Sequence, residues 1–311
     1  MKMPRAWILV ASLVLASSAA AADSRPSVLF IGNSFTYGHF SAVRFYRSGT
    51  VTDLNDGGVG GMPALFKSFT QQAGIDYDVF LETMGGAGLD DHIEKKLGVI
   101  GKRGWDKVVM HGFSTLDYDK PRDPAKLIAT AMQMADFLRK GNPKVELYLM
   151  ATQPRADETY PKEGAWYGHP IEAMARDVRA AYDQAAKGAG IKVVIPVGES
   201  WIRAMQAGVA DPNPYDGIEA GKLDLWAHDQ YHASSYGIYL EALVVFGSVT
   251  GRDPRSLGAR ECSAFELGFR QAEVRALQQV AFDQLASADL VKPNPLVLPT
   301  PVPSERCVPQ K

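Results

Sequence analysis

Hydrophobic residues in this chain form short continuous runs that alternate with longer segments of helical periodicity. Five runs rich in β-branched and aromatic residues are bounded by polar residues, glycine or proline, as buried strands are. They are SVLFIG (27–32), YDVFLET (77–83), WDKVVMHG (105–112), VELYLMATQ (145–153) and KVVIPVG (192–198). The first four precede stretches long enough for a crossover helix, which is the pattern of a parallel sheet with helices on both faces.

The segments between and after these runs predict five helices. Glycine follows the first four of them, as a helix stop should. They cover residues 62–74, 124–141, 170–190, 234–251 and 265–287. We therefore predict an α/β fold, a three-layer α/β/α doubly wound sheet of about five parallel strands in a single domain. In such sheets ligand sites lie at the carboxyl ends of the strands.

Both ends of the chain depart from this alternation. Residues 1–22 have a basic start, an apolar run and small residues up to Ala22, which is the layout of a secretory signal peptide. The apolar run is shorter than the ~20 residues that a membrane span needs. We predict cleavage near Ala22, a secreted or periplasmic location, one domain over 23–290 and a Pro-rich tail over 291–311.

The net charge bears on the partners that the protein could bind, and the cysteine content bears on a possible disulfide. The formal net charge is −2, and it becomes −4 without residues 1–22, because Lys2 and Arg5 are lost and no acid is. Such a balance gives no reason to expect nucleic acid or an anionic membrane surface as a partner. Cys262 and Cys307 are the two cysteines. Since disulfides persist outside the cytoplasm, we predict a bridge between them, with two unpaired thiols as the alternative.

A serine follows the first predicted strand almost directly. In Gly32-Asn33-Ser34-Phe35-Thr36, the serine stands between a buried strand and a helix. Backbone N–H groups at a helix N-terminus favour a negative charge that develops there. Taken alone, Ser34 is better explained as a helix N-cap without chemistry.

Asp229 and His232 lie three residues apart, just ahead of the predicted helix at 234–251. An acid at this spacing can fold back to accept from Nδ1–H of the histidine, which leaves Nε2 to take a proton from a serine hydroxyl. A serine needs such a base because its free hydroxyl is a poor nucleophile at neutral pH. The two motifs together predict a nucleophile, a base and an orienting acid.

GNSFTYG (32–38) and DQYHASSYGIYL (229–240) resemble the first and last blocks of the SGNH or GDSL hydrolases. These are flavodoxin-like α/β esterases and lipases that need no cofactor. Asn33 stands where the name-giving Asp usually stands, and the resemblance runs from about residue 27 to about residue 250. It implies a serine esterase that cleaves carboxylic esters through an acyl-enzyme, with Ser34, His232 and Asp229 as its triad.

The resemblance also implies an oxyanion hole. ETMGGAGL (82–89) is similar to the second block, whose glycine donates its N–H; Gly86 matches best, and Gly85 is the alternative. The third block usually supplies an Asn, which HGFST (111–115) lacks. Three alternatives remain for the oxyanion hole. Ser114 donates in place of the Asn, beside the N–H of Ser34; or the oxyanion has fewer donors; or another residue such as His111 occupies the position.

Substrate preference follows only from the resemblance and from the loop after the fourth strand. The loop at 154–170 carries Tyr160, Trp166 and Tyr167, and we expect these aromatic side chains to line a substrate pocket, although solvated loops with packed aromatics are as common. The resemblance and the expected export favour a small-molecule or carbohydrate ester with short acyl groups, such as acetyl on an extracellular carbohydrate.

The segment from His228 to His232 also has the residue types of a metal site. His228, Asp229 and His232 could be ligands, but two adjacent ligands are awkward to aim at one ion, so we predict no metal. We expect His39 to pack on or cap the helix after Ser34. A non-catalytic carbohydrate- or envelope-binding protein on a hydrolase fold is favoured by the missing third-block Asn and opposed by the Ser, Asp and His in matching positions.

Overall fold

Six strands form a single sheet in the computed structural model, which describes residues 25–292 and Cys307. The strands are β1 (Ser27–Gly32), β2 (Thr52–Asp53), β3 (Asp78–Thr83), β4 (Lys107–Met110), β5 (Glu146–Ala151) and β6 (Val193–Pro196). Their order is β2-β3-β1-β4-β5-β6, and every neighbouring pair is parallel. The predicted parallel sheet with helices on both faces is thus confirmed.

The five hydrophobic runs correspond to five of the six strands. The additional strand, β2, has only two residues and pairs with β3 through Thr52 and Phe80. It lies at the sheet edge with Thr52 exposed, so it carries no hydrophobic run that a pattern could detect. The last run is shorter than expected, because β6 ends at Pro196 and the following residues begin a helix.

Ten α-helices occur within the described residues. They are α1 (Ser34–Tyr37), α2 (Gly61–Gln72), α3 (Leu89–Lys95), α4 (Leu97–Ile100), α5 (Ala125–Gly141), α6 (Ile171–Ala189), α7 (Val197–Gln206), α8 (Ser235–Thr250), α9 (Cys262–Glu266) and α10 (Gln271–Ser287). Short 3₁₀ helices cover Ala42–Phe45, Ser48–Thr50 and Pro254–Leu257. The five predicted helices are α2, α5, α6, α8 and α10; most of the others span too few turns to show a period.

Side chains of β1 alternate between two hydrophobic cores, as the period of a strand requires. Val28 and Phe30 belong to the core shared with α2, α7, α8 and α10, whereas Leu29 and Ile31 belong to the core shared with α3, α5 and α6. In α8 every side chain from Ile238 to Phe246 is buried. The helix that follows Asp229 and His232 is therefore among the most deeply buried elements.

The chain leaves β1 and β4 in opposite directions, although these strands are neighbours. From β1 it continues to β2 and β3 on one side, and from β4 it continues to β5 and β6 on the other. Such a point opens a crevice at the carboxyl ends of the strands, where α/β sheets bind ligands. Ser34 follows β1 at this edge, and His111 to Thr115 follow β4.

The C-terminal region is joined to the domain at one described residue. Cys307 forms a disulfide with Cys262, the first residue of α9. Arg47 also donates to the Cys307 carbonyl and pairs with Glu266. The predicted signal peptide and most of the Pro-rich tail lie outside the described residues. Within those that are described, no helix combines the length and the apolar character needed to cross a membrane.

Candidate active site

Asn33 shapes the turn that presents Ser34. Its side-chain Oδ1 accepts from the N–H of Phe35 at 3.0 Å and so caps α1. Its Nδ2 donates to the carbonyl of Ala87 at 2.9 Å, which links this turn to the loop after β3. Ser34 is the first residue of α1 and only 5% exposed. The nucleophile candidate is thus fixed at a helix N-terminus and attached to the neighbouring loop.

Two free backbone N–H groups lie on the linked loops. Met84 donates to the carbonyl of Gly32 at 3.1 Å and holds the β3 loop against the β1 turn. Gly86 is exposed with a φ of 71°, a left-handed conformation that favours glycine. Across residues 25–292, the N–H groups of Ser34 and Gly86 have no hydrogen-bond acceptor. Both are available to a negatively charged oxygen.

Asp229 and His232 form the hydrogen bond that their spacing predicts. Nδ1 of His232 lies 2.6 Å from Oδ2 of Asp229. Oδ1 accepts from the backbone N–H groups of His232 at 3.0 Å and of Tyr231 at 3.2 Å. The N–H of Ala227 closes the hairpin by donating to the His232 carbonyl at 2.7 Å. A single carboxylate therefore orients both the ring and the backbone of His232.

The same contacts keep Asp229 ionised. Burial raises the pKa of this carboxyl, but the hydrogen bonds from the His232 ring and from the two backbone N–H groups outweigh burial and hold its pKa below the ordinary value. A carboxylate can only accept, so Nδ1 of His232 carries the hydrogen. Nε2 of the neutral ring is then free to accept a proton.

His232 lies beside the segment that begins with Ser34. Its ring centroid is 5.8 Å from that of Phe35 and 4.9 Å from that of His39. No hydrogen bond joins the Ser34 hydroxyl to His232 within the part of the chain that the structure describes. Catalytic hydrogen bonds are often long or misaligned before substrate binds, so the arrangement remains compatible with a serine and its base.

His111 does not intrude into this site, because both of its nitrogens have partners. Nδ1 donates to the Gly112 carbonyl at 2.9 Å, so Nε2 accepts from the Thr36 hydroxyl at 2.8 Å. Complete burial lowers the pKa of His111 to about 4, and the ring is neutral at pH 7. A Cβ on Gly32 would collide with both Thr36 Oγ1 and His111 Nε2, so only glycine fits there.

Ser114 is buried and bonded to a residue that the sequence did not single out. Nη1 of Arg155 donates to Ser114 Oγ at 3.1 Å, while Nε and Nη2 bind the Asp157 carboxylate. The guanidinium also stacks on the Tyr231 ring, 3.6 Å from its centroid. Since Arg155 occupies an acceptor site of Ser114, the hydroxyl hydrogen of Ser114 is left to donate elsewhere.

Known structures share this fold at low sequence identity. A DUF4886 family protein from Bacteroides uniformis is 16% identical, with a TM-score of 0.58 over 86% of this chain and 97% of that one. A candidate SGNH hydrolase from Slackia heliotrinireducens is 20% identical, with a TM-score of 0.50 over 73% and 100%. A candidate GDSL-like lipase from Parabacteroides merdae is 15% identical, with a TM-score of 0.52 over 73% and 96%.

The chain has the fold of the SGNH hydrolases. This agrees with the resemblance of its first and last sequence blocks. No protein-family model and no curated protein sequence matches the chain. The assignment of the SGNH fold therefore rests on the sheet, its helices and their order.

The aromatic loop after β5 does not line the crevice as a group. Trp166 is 0% exposed, lies in the core with α5 and α6, and donates through Nε1 to Asp177, so the expectation that it contacts substrate is wrong. The Tyr160 hydroxyl donates to the Pro212 carbonyl. Tyr167 is 49% exposed. Large aromatic residues in a loop gain more from burial than from solvent exposure, and sequence alone does not separate the two.

The histidines near His232 have contacts of other kinds. His228 is exposed and packs against Phe40, with 4.5 Å between ring centroids. His39 follows the end of α1, where its N–H donates to the Ser34 carbonyl. No group of three or more His, Cys, Asp or Glu side chains with metal-binding geometry occurs in the described residues. His39 and Phe40 instead pack on the His232 ring, and His228 packs on Phe40.

Arg155 and Phe40 are the two site residues that sequence reasoning missed. Arg155 stands four residues past the end of β5, at the carboxyl edge of the sheet where ligand sites lie. This position could have identified it as a site residue from the sequence. Phe40 had no comparable signal, because its contact with His228 joins segments that are far apart in the sequence.

Proposed function

We propose that this protein is an exported serine esterase, in which Ser34 attacks the ester carbonyl and His232 accepts the hydroxyl proton. Asp229 holds the His232 ring in the tautomer that leaves Nε2 free. The observation that carries the proposal is the 2.6 Å bond between Asp229 and His232, beside a serine at a helix N-terminus. The likeness to candidate SGNH and GDSL-like hydrolases supports the same reaction class.

The oxyanion that forms on attack is stabilised by nearby donors. The N–H groups of Ser34 and Gly86 are free and belong to loops joined by the Asn33 amide. Ser114 takes the role of the missing third-block Asn. Because Arg155 donates to the Ser114 oxygen, the hydroxyl hydrogen of Ser114 points away from Arg155 and is free to donate to the oxyanion. The bond from the carbonyl carbon to the alcohol oxygen then breaks, and His232 gives its proton to the departing alcohol. Water hydrolyses the resulting acyl-enzyme with His232 as base, and the cycle requires no cofactor.

The substrates we propose are short acyl esters, and in particular acetyl groups on carbohydrate. Predicted export would bring the enzyme to extracellular or cell-wall polysaccharide. The preference is tested by comparing esters from acetyl to decanoyl. Rates that rise steadily with chain length, with no acetate released from acetylated glycans, would refute it.

The decisive experiment compares the mature protein with Ser34→Ala on 4-nitrophenyl acetate and butyrate, with and without EDTA. We expect the substitution to lower kcat by on the order of 10⁶-fold, because it removes the nucleophile. Ser48→Ala is the matched control, since Ser48 lies in a surface 3₁₀ helix, and it should keep wild-type kcat.

Two further outcomes would assign a different function. Activity that survives Ser34→Ala and is lost with EDTA would move the chemistry to a metal site at His228, Asp229 and His232. No turnover by the folded wild-type protein on any short-chain ester would instead favour a carbohydrate- or envelope-binding protein on a hydrolase fold.

A further inference from the structure

Phe40 is an exposed aromatic residue next to the proposed catalytic base. Its side chain is 51% exposed, and its ring centroid lies 5.6 Å from that of His232 at an interplanar angle of 88°. The rings of His39 and His228 flank it, with centroids 4.0 Å and 4.5 Å away. Phe40 and His39 pack on His232, and His228 packs on Phe40; we call these three residues the aromatic rim.

The backbone of Phe40 is strained. Its φ is 60°, in the left-handed region where a bulky residue other than glycine is an outlier. The half-exposed ring contributes little to either hydrophobic core, and it does not offset this strain by burial. Strained residues cluster at functional sites, and the Phe40 ring packs on the proposed catalytic base.

The location of the aromatic rim beside His232 determines which half of an ester it contacts. In serine hydrolases the histidine that accepts the serine proton later gives it to the leaving group. The leaving alcohol therefore lies on the histidine side of the site, and the acyl group lies on the opposite side. Phe40 and His39 pack on the His232 ring, and His228 packs on Phe40, so the three side chains border the alcohol half of the substrate.

The chemistry of the aromatic rim combines one apolar face with polar edges. Phe40 offers a flat ring, while the imidazoles of His39 and His228 offer hydrogen-bonding nitrogens. Arg44 adds a guanidinium 3.4 Å from Nδ1 of His39. A sugar ring has the matching character, with an apolar C–H face and hydroxyl groups around its edge. A simple alkyl alcohol has no flat face to stack, and an aryl alcohol has no ring of hydroxyls.

We propose that Phe40, flanked by His39 and His228, is the subsite for the alcohol half of the ester, and that this half is a sugar ring. The inference rests on the proposed esterase function and assigns the residues that bind the sugar half of its substrate. It places carbohydrate recognition at the rim of His232 rather than on the aromatic loop after β5.

The test measures Phe40→Gly against wild type on three acetates, namely a xylopyranoside acetate, 4-nitrophenyl acetate and ethyl acetate. We expect kcat/KM for the sugar acetate to fall roughly 3- to 10-fold through KM, as for the loss of one stacking contact. Ethyl acetate should change by less than about twofold. Because glycine accepts the φ of residue 40, the variant should unfold at the wild-type temperature or above.

Asp289→Gly is the matched control, because Asp289 also has a positive φ of 55° but follows α10. It should leave the kinetics of all three acetates unchanged. Binding of methyl β-xyloside to Ser34→Ala, followed by saturation-transfer NMR, supplies a readout that needs no turnover. Adding Phe40→Gly to that variant should abolish the transfer.

Specific results overturn the inference. Equal losses on all three acetates would mean that Phe40 only positions His232. A larger loss on the nitrophenyl acetate than on the sugar acetate would make the alcohol half aromatic, and no loss on any acetate would remove Phe40 from recognition. If wild type hydrolyses these esters, any of these results refutes the subsite alone; if wild type hydrolyses none, the esterase proposal fails and the subsite fails with it.

Discussion

At the scale of single residues, Asn33 explains why an amide can replace the acid of the first SGNH block. The amide oxygen caps α1, which an aspartate could also do. The amide nitrogen donates to the Ala87 carbonyl, which an ionised aspartate cannot do because it has no hydrogen to give. The substitution thus adds a bond between the Ser34 turn and the loop that carries Gly86.

Asn33→Asp tests the role of this bond. We expect the free energy of unfolding to fall by about 1–3 kcal/mol, because the buried Ala87 carbonyl loses its donor and faces a carboxylate. Turnover should also fall, because the two loops are no longer joined. Urea denaturation and esterase assays on the same samples measure both effects.

A matched control is Asn142→Asp, which removes a similar bond to the Trp105 carbonyl away from the crevice. It should lower stability without lowering turnover per folded molecule. Equal turnover in the two variants would show that the Asn33 bond does not matter to the site.

At the scale of elements, the end of β4 is fastened to α1 by one buried histidine. His111 accepts from Thr36 of α1 and donates to Gly112, and its lowered pKa of about 4 keeps it neutral. In the unfolded chain a histidine takes up a proton near pH 6.5. Folding therefore excludes a proton that the unfolded state binds at mildly acidic pH.

This linkage predicts how stability depends on pH. The contribution of His111 should be complete above about pH 6.5 and should be lost as the pH falls toward 4, by about 3 kcal/mol in all. His111→Gln keeps an oxygen for the Thr36 hydroxyl but does not titrate. Urea denaturation at pH 7, 5.5 and 4 should show that the difference in free energy of unfolding between wild type and variant shrinks as the pH falls. A difference that stays constant with pH would contradict the prediction.

Most elements could be predicted from the sequence, and those that could not share a physical cause. Five strands and five helices are marked by runs or periods of several turns, whereas β2 and helices such as α1 and α4 are too short for either. Asp229 and His232 were found because their contact is local, three residues apart. Arg155 and Phe40 act through contacts with distant segments, and Trp166 was misplaced because burial of a loop aromatic is decided by tertiary packing.

At the scale of the whole molecule, the disulfide fastens a residue near the C-terminus to the helical layer. Cys262 and Cys307 are 45 residues apart, and closing a loop of that size restricts the unfolded chain. Replacing both with alanine should lower the free energy of unfolding by up to about 4 kcal/mol.

Denaturation of the double variant, beside wild type with and without reductant, measures this difference. Reduced wild type should match the variant. Peptide mapping without reductant should recover one linked species, and two alkylatable thiols in the folded protein would refute the pairing.

The two halves of the candidate site also come from distant parts of the chain. Ser34 follows the first strand, whereas His232 precedes α8, about 200 residues later. A ribosome adding about 5–20 residues per second makes the histidine some 10–40 s after the serine. For that interval the chain carries the serine without its acid and base, so the site cannot be complete before the segment ahead of α8 has been made.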